Sequence, residues 1–223
     1  MMDMEYISAI LPSLLSGAWE TLKLFFLTLI FSLPLGLPFA FAAMSRFWPL
    51  RFLSKTYVWI FRGTPLLLQL FFVCYGLPIL FGPAFRMPHF TAAIVTFVLN
   101  YAAYFAEIYR AGIQSIDGGQ HEAARTLGLS KWQTMRIIII PQAIARIMPP
   151  VSNEVITLVK DTALAASIGV AELLKASKDA NNRDVNPSAF FVAAILYLAF
   201  TFVLTVLSQK LEKRYSRHER KEA

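Results

Sequence analysis

Four stretches of the chain, 24–44, 63–85, 90–106 and 187–209, contain no Asp, Glu, Lys or Arg. A fifth, 137–159, is apolar apart from Arg146 and Glu154. Crossing the hydrocarbon core of a bilayer takes roughly 20 mostly apolar residues per helix. The pattern predicts an all-α membrane protein of five transmembrane helices, over about 18–44, 63–83, 89–110, 137–159 and 187–209. The whole of 1–223 reads as one transmembrane domain without an attached soluble domain. With 57% of residues hydrophobic and only 16% charged, the composition does not fit an ordinary soluble fold.

The net charge of +7 is explained by where the basic residues fall. Residues 1–17 have no Lys or Arg. Arg46, Arg51, Lys55 and Arg62 lie between the first two stretches, and only Arg86 in the next gap. Arg110, Arg125, Lys131 and Arg136 follow, and the tail carries Lys210, Lys213, Arg214, Arg217, Arg220 and Lys221. Basic residues accumulate on the cytoplasmic side of membrane proteins. The alternation therefore predicts an outside N-terminus and an inside C-terminus, with the tail on anionic lipid headgroups. It leaves no case for nucleic acid as a partner. The segment 160–186 conflicts with the rule: it should lie outside, yet it holds Lys160, Lys175, Lys178 and Arg183, balanced by Asp161, Glu172, Asp179 and Asp184.

Between the third and fourth stretches lies a polar hairpin, about 117–133, on the inner side. Asp117-Gly118-Gly119 reads as a turn. His121 to Leu127 favour helix, and Gly128 suits the left-handed residue that ends one. Ser130 with Gln133 three residues later forms a capping-box pattern, so a second helix should start at Lys131 and run into the fourth span. Glu122 sits near the positive end of the first helix's dipole, and the small Ala123 and Ala124 allow another surface to come close.

The order Gly119-Gln120-His121-Glu122-Ala123-Ala124, then Leu127-Gly128, then Ile140-Pro141-Gln142-Ala143, resembles the "EAA" loop of ABC importer membrane subunits. Further matches resemble the polar amino-acid branch of that family. They are Arg62-Gly63-Thr64-Pro65-Leu66-Leu67 with Gln69, Tyr75-Gly76-Leu77-Pro78, Ala103-Tyr104-Phe105-Ala106-Glu107 with Arg110-Ala111-Gly112, Pro149-Pro150 with Asn153, and Lys160-Asp161-Thr162. The resemblance covers about residues 10 to 215. It implies a type I importer transmembrane fold in a bacterial inner membrane. It also implies a second permease subunit, identical or homologous, a cytoplasmic ATPase dimer that binds ATP and Mg, and an extracytoplasmic amino-acid-binding protein. Gln120, Glu122, Ala123, Ala124, Leu127 and Gly128 would then couple to the ATPase. This chain has no Walker-type Gly-rich loop, so it is expected to bind no cofactor and catalyse no reaction.

Polar residues within a bilayer need a partner or a task. Glu154 and Asn153 in the fourth span are the leading candidates to meet a solute, and a carboxylate there suits a cationic side chain or an α-amino group. Asn100, Tyr104 and Gln69 are further candidates, although hydrogen bonding between helices is the commoner use of such groups. Pro149 and Pro150 predict a broken helix lining a path. Lys160 and Asp161 are expected to pair locally at its outer end, and Arg62 to anchor the second span at the inner interface. An alternative is a secondary transporter using Glu107 or Glu154 for a coupling ion, but five spans do not divide into two inverted halves. A membrane enzyme would need a metal or nucleophile constellation, and His89, His121 and His218 are scattered; no metal site is expected. A non-transporting scaffold does not account for the polar fourth span.

Overall fold

The structure is a computed structural model that describes residues 4–216. The tail residues Arg217, Arg220 and Lys221, and His218, lie outside the described residues. The ordered elements are α1 (Met4–Met44), α2 (Trp48–Gly63), α3 (Leu66–Phe71), α4 (Leu77–Phe81), α5 (His89–Gln114), α6 (Gly118–Thr126), α7 (Lys131–Gln133), α8 (Ile140–Asp161), α9 (Leu173–Asp184) and α10 (Ser188–Ser216). Single π-helical stretches join α3 to α4 (Phe72–Gly76) and α7 to α8 (Thr134–Ile139).

Among the described residues three helices, α1, α5 and α10, are long and apolar enough to cross a membrane. The pair formed by α2 and the segment Leu66–Phe81, bent by 105° at its break, is apolar enough to be a fourth if taken as one broken span rather than a re-entrant loop. Here the structure departs from the expected second span at 63–83. The chain is already helical from Trp48, in the segment taken from sequence as a connector. Arg51, Lys55 and Arg62 interrupt the apolar run there, and of the whole helix only Ser54 and Val58 are buried. Such a two-faced helix leaves no 20-residue apolar stretch to read.

α1 has 41 residues, which at about 1.5 Å each is roughly twice the ~30 Å hydrocarbon thickness. Its second half packs along α5 through small residues: Gly36 and Ala40 face a seam that includes Ala102 and Ala106, all buried. Helices in lipid gain no hydrophobic drive from meeting, so close van der Waals approach over small side chains holds them. Its first half, which the sequence left ahead of the first span, packs Ile10, Leu14 and Ala18 against α9 and α10.

The proline pairs do not break their helices. α1 runs through Pro34 and Pro38, and α8 through Pro149 and Pro150, both of which are exposed. Each ring removes one backbone hydrogen bond. In α1, carbonyls beside the prolines gain side-chain donors, Tyr109 Oη to Leu33 at 3.2 Å and Ser54 Oγ to Phe39 at 2.7 Å. The real break is at Thr64-Pro65, where both residues are extended. A residue before proline is pushed out of the helical region by the ring, which accounts for its place.

The segment 160–186 is folded into the body. After α8 a 3-10 turn, Thr162–Ile168, buries Thr162, Ala165, Ala166 and Ile168. Two of its four basic residues are paired within the segment, Lys175 with Asp179 at 2.5 Å and Arg183 with Asp184 at 2.7 Å. Glu172, fully buried, caps α9 by accepting from the N–H groups of Leu174 (2.9 Å) and Lys175 (2.7 Å). It also accepts from Tyr197 Oη of α10 at 2.7 Å, and the α1 hydroxyl Thr21 Oγ1 accepts from the Leu173 N–H at 3.2 Å. Thr21 Oγ1 in turn donates to Glu172 Oε2 at 3.5 Å, so one carboxylate ties three helices. Losing a cap costs about 1 kcal/mol, and a buried hydroxyl left without an acceptor about 1–3 kcal/mol. Glu172→Ala is therefore expected to destabilise the protein by about 2–4 kcal/mol, read as a lowered thermal midpoint in detergent. Glu172→Gln, which keeps one acceptor oxygen, should lose less.

Candidate functional site

A cavity of about 530 Å³ opens where the broken α2–α3 crossing meets α5 and α8. Pockets of ~300–1,000 Å³ suit small solutes. Asn100, Tyr101 and Tyr104 of α5 line one wall, Asn153, Glu154, Thr157 and Asp161 of α8 the other, and Arg62 to Leu66 the third. The spacing explains the grouping. Positions 154, 157 and 161 recur at three and four residues on α8, and 100 and 104 at four on α5, so each set shares a helix face.

The break is braced from inside. Gln69 Nε2 lies 2.9 Å from the Phe61 carbonyl, 3.1 Å from the Thr64 carbonyl and 2.8 Å from Thr64 Oγ1. Asn100 Nδ2 donates to the Phe61 carbonyl and to Gln69 Oε1, both at 3.0 Å. Non-helical backbone survives at membrane depth only where its polar groups are met in this way. Asn100, 4% exposed, and Gln69 are therefore engaged in holding the wall.

Glu154 is different. It is half-buried, and among the described residues it accepts no hydrogen bond and makes no ion pair. The sequence offered Arg146 as a partner, but Arg146 reaches the carbonyl and hydroxyl of Ser115 instead. Asp161 does not pair with Lys160: successive helical side chains point about 100° apart, and Asp161 Oδ2 accepts from Tyr101 Oη at 2.7 Å while Lys160 is exposed. Pro149 and Pro150 lie outside the cavity wall. Arg62, expected to anchor the second span, is exposed yet engaged by α5. Its guanidinium stacks 5.3 Å from the centre of the Tyr104 ring and stands 3.8 Å from Glu107, well along α5. The Tyr101–Asp161 bond and the Glu107–Arg110 pair were missed from sequence; the three-residue spacing of 107 and 110 on one helix was the signal for the latter.

A second cavity, of about 510 Å³, lies against the first and shares Arg62, Gly63 and Tyr104 with it. Ala43, Lys55, Val58, Trp59, Glu107 and Arg110 complete it. Glu107 is held by Arg110 through two bonds, 2.8 Å from Nε and 2.6 Å from Nη2.

At one end of the molecule stands the hairpin. α6 begins at Gly118, so the two glycines form its first turn rather than a turn before it, and Asp117 caps it by accepting from the Gly119 N–H at 2.6 Å. Gly128 follows with φ of 76°, a left-handed conformation that any Cβ would strain. The capping box is present in both directions: the Ser130 N–H donates to Gln133 Oε1 at 2.8 Å, and the Gln133 N–H to Ser130 Oγ at 3.3 Å. Gln120 Oε1 accepts from Gln142 at 3.3 Å, latching α6 to α8. His121, Glu122, Ala123 and Leu127 are exposed, Leu127 by 77%. Ala124 is not: it is fully buried within the chain, on the side of α6 that packs against the rest of the hairpin.

Comparison with known proteins gives one answer at three levels. The family model for "Binding-protein-dependent transport system inner membrane component" matches residues 32–217. The arginine transport system permease ArtQ of Bacillus subtilis is 36% identical over 96% of this chain and 98% of its own length. The glutamine permease GlnP of Escherichia coli is 37% identical over 95% and 97%, and the L-cystine permease TcyB of B. subtilis 40% over 93% and 88%. Among solved structures, an amino acid ABC transporter crystallised with histidines superposes with a TM-score of 0.89 at 35% identity, covering 96% of this chain and 99% of that one. An inward-facing MetNI methionine ABC transporter has the same fold, with a TM-score of 0.75 at 20% identity over 93% and 98%. The chain belongs to the inner-membrane components of binding-protein-dependent ABC transport systems, among relatives that are amino-acid permeases.

Proposed function

We propose that the chain is the permease subunit of an ATP-driven amino-acid importer. In this reading the cavity between α5 and α8 holds the solute, and the hairpin 117–133, facing the cytoplasm, receives the ATPase stroke. The observation that carries it is Glu154: a carboxylate inside a membrane protein, facing a solute-sized cavity with no bonding partner among the described residues. A buried charge is retained against its desolvation cost when something of opposite sign visits it. A cationic amino acid, or the α-amino group of any amino acid, supplies that charge. Tyr104 and Asn153 line the same chamber and contact the rest of the solute. Lys160 and Asp161 close its outer end, with Asp161 fixed by Tyr101. Pro149 and Pro150 shape α8.

The partners follow from this assignment. A second permease copy or homologue completes the path, a cytoplasmic ATPase dimer carries ATP and Mg, and an extracytoplasmic binding protein delivers the amino acid. Glu122, Ala123 and Leu127 are the faces of α6 that meet the ATPase, Gln120 latches the helix to α8, and Gly128 sets its angle. The test is reconstitution of the permease with its ATPase and binding protein, followed by uptake of labelled amino acids with and without ATP. Uptake that proceeds on an ion gradient alone would overturn the assignment. In the same assay Leu127→Asp, which places a charge on the exposed apolar tip of α6, should reduce ATP-driven uptake at least tenfold. The permease itself should keep its wild-type thermal midpoint.

A further inference from the structure

We infer that the hairpin carries a basic socket, formed by His121, Arg125 and Lys131, that receives a carboxylate-bearing side chain of the ATPase and so fixes the rotational setting of α6 against it. The inference rests on the reading of the hairpin as the ATPase-coupling element.

The socket is a cavity of about 500 Å³ between α6 and the start of α7. His121 and Arg125, four residues apart, share one face of α6, and Lys131 enters from α7. Leu129 and Met135 give the cavity an apolar part, and no acidic residue lines it. None of the three basic side chains makes a hydrogen bond or an ion pair among the described residues. Glu122 stands three residues before Arg125, a spacing at which helical ion pairs form, yet the two are not paired. Arg125 and Lys131 therefore share a cavity without a counter-charge, and like charges brought together repel. Ser130 Oγ accepts from the Gln133 N–H, which leaves its own O–H to donate into the same space. A carboxylate satisfies all of these groups at once, in charge-assisted bonds. The walls that hold them are set by the backbone. The Leu129 N–H donates to the Ala124 carbonyl and the Gly128 N–H to the Arg125 carbonyl, both at 3.0 Å, closing the turn between the helices.

The socket stands clear of the bilayer. Tyr215, six residues past the charge-free stretch of α10, lines a cavity together with Ile137, Ile138 and Arg146. At about 1.5 Å per residue, Tyr215 is already roughly 9 Å beyond the apolar stretch. Lys131 lies six residues before Ile137, roughly 9 Å further along the rod that leads into α8. The headgroup layer is only about 5–8 Å deep. A phosphate anchored in that layer falls short of the socket, whereas a soluble protein reaches it.

α6 has the form of a helix to be enclosed by a partner. Of its nine residues only Ala124 is buried. Helical positions two apart point about 200° from each other. His121 and Arg125 thus stand nearly opposite Ala123 and Leu127, with Glu122 between the two faces. A cleft that grips this helix meets basic, acidic and apolar stripes in turn. An apolar contact by itself permits several rotations of the helix in its cleft; charges matched on the far side leave one.

The experiment measures binding of the purified ATPase to the full permease chain in phosphatidylcholine nanodiscs. Salt is raised from about 0.1 M to about 1 M, which shrinks the screening length from about 10 Å to about 3 Å. R125E/K131E is expected to weaken binding about tenfold or more at the lower salt and to flatten the salt dependence seen with wild type. R125Q/K131Q should lose less. R136E alters an exposed cation outside the socket and should stay within about threefold of wild type. An unchanged thermal midpoint checks that each variant is folded. Wild-type affinity in R125E/K131E, with L127D still defective, overturns the socket and leaves the coupling hairpin standing. Wild-type affinity in both R125E/K131E and L127D removes the hairpin itself from the ATPase interface, a separate failure. An equal loss in R136E reports overall charge and overturns the socket. A defect that appears only when phosphatidylglycerol replaces phosphatidylcholine assigns the basic cluster to the lipid surface and overturns it as well.

Discussion

Replacing Glu154 by glutamine is expected to lower ATP-driven uptake of a cationic amino acid about 100-fold, with a much smaller loss for a neutral one. The side chain keeps its shape and its ability to hydrogen-bond, so what disappears is the charge. Hydrogen bonds to charged groups contribute about 1.5–3 kcal/mol, and about 1.4 kcal/mol is a factor of ten. Two orders of magnitude therefore correspond to one charge-assisted contact in a chamber partly shielded from water. Because Glu154 bonds to no other described residue, the substitution should leave the thermal midpoint within about 2 °C of wild type, the size of change that follows from well under 1 kcal/mol in a chain of this length. Initial rates over a range of arginine concentrations separate binding from turnover. Wild-type uptake with unchanged preference in that variant would remove Glu154 from the path.

The second large effect is expected at Gly112, and it is structural. α5 and α8 approach each other so closely there that a Cβ on Gly112 would run into Cγ2 of Ile147. Gly112→Val should force the helices apart at the level between the hairpin and the chamber. Overpacking of this kind costs about 1–3 kcal/mol, and about 3 kcal/mol in a domain of this size lowers the thermal midpoint by roughly 6–12 °C. The clash is with one side chain, so it has a specific remedy. Gly112→Ala combined with Ile147→Ala should recover a large part of the stability that Gly112→Ala loses alone. A double mutant no more stable than the single one would show that the glycine serves something other than this contact.

How far the sequence foretold the structure depends on the kind of signal. Long apolar runs marked α5 and α10 well, because lipid imposes one simple requirement on all faces of a helix at once. The capping box at Ser130 and Gln133 and the left-handed Gly128 were legible because they are local: each rests on residues within four positions. α2 was hidden, since a helix with basic and apolar faces leaves no continuous stretch. The expected break at Pro149-Pro150 was misplaced because proline's effect on a helix depends on what its neighbours offer the freed carbonyls, which is a tertiary matter. The break at Thr64-Pro65 depends on Gln69 and Asn100, one of them 36 residues further on. For the site, Glu154, Asn153 and Tyr104 were picked out by their cost in a membrane. That argument identifies residues needing a reason and cannot say which reason. Asn100 and Gln69 satisfied it by bracing a wall, and the stacking of Arg62 on Tyr104 beside Glu107 was a contact between distant segments that no local pattern announces.

The π-helical turn at Thr134–Ile139 sits between the hairpin and α8. Relative to an ordinary helix it stores one surplus residue, and each residue corresponds to about 100° of rotation and 1.5 Å of rise. Releasing that residue into the regular spiral would swivel everything above it, including the Glu154 face, by more than a quarter turn. Under the proposed coupling role of the hairpin, α8 would then be a shaft that can be wrung as well as pushed.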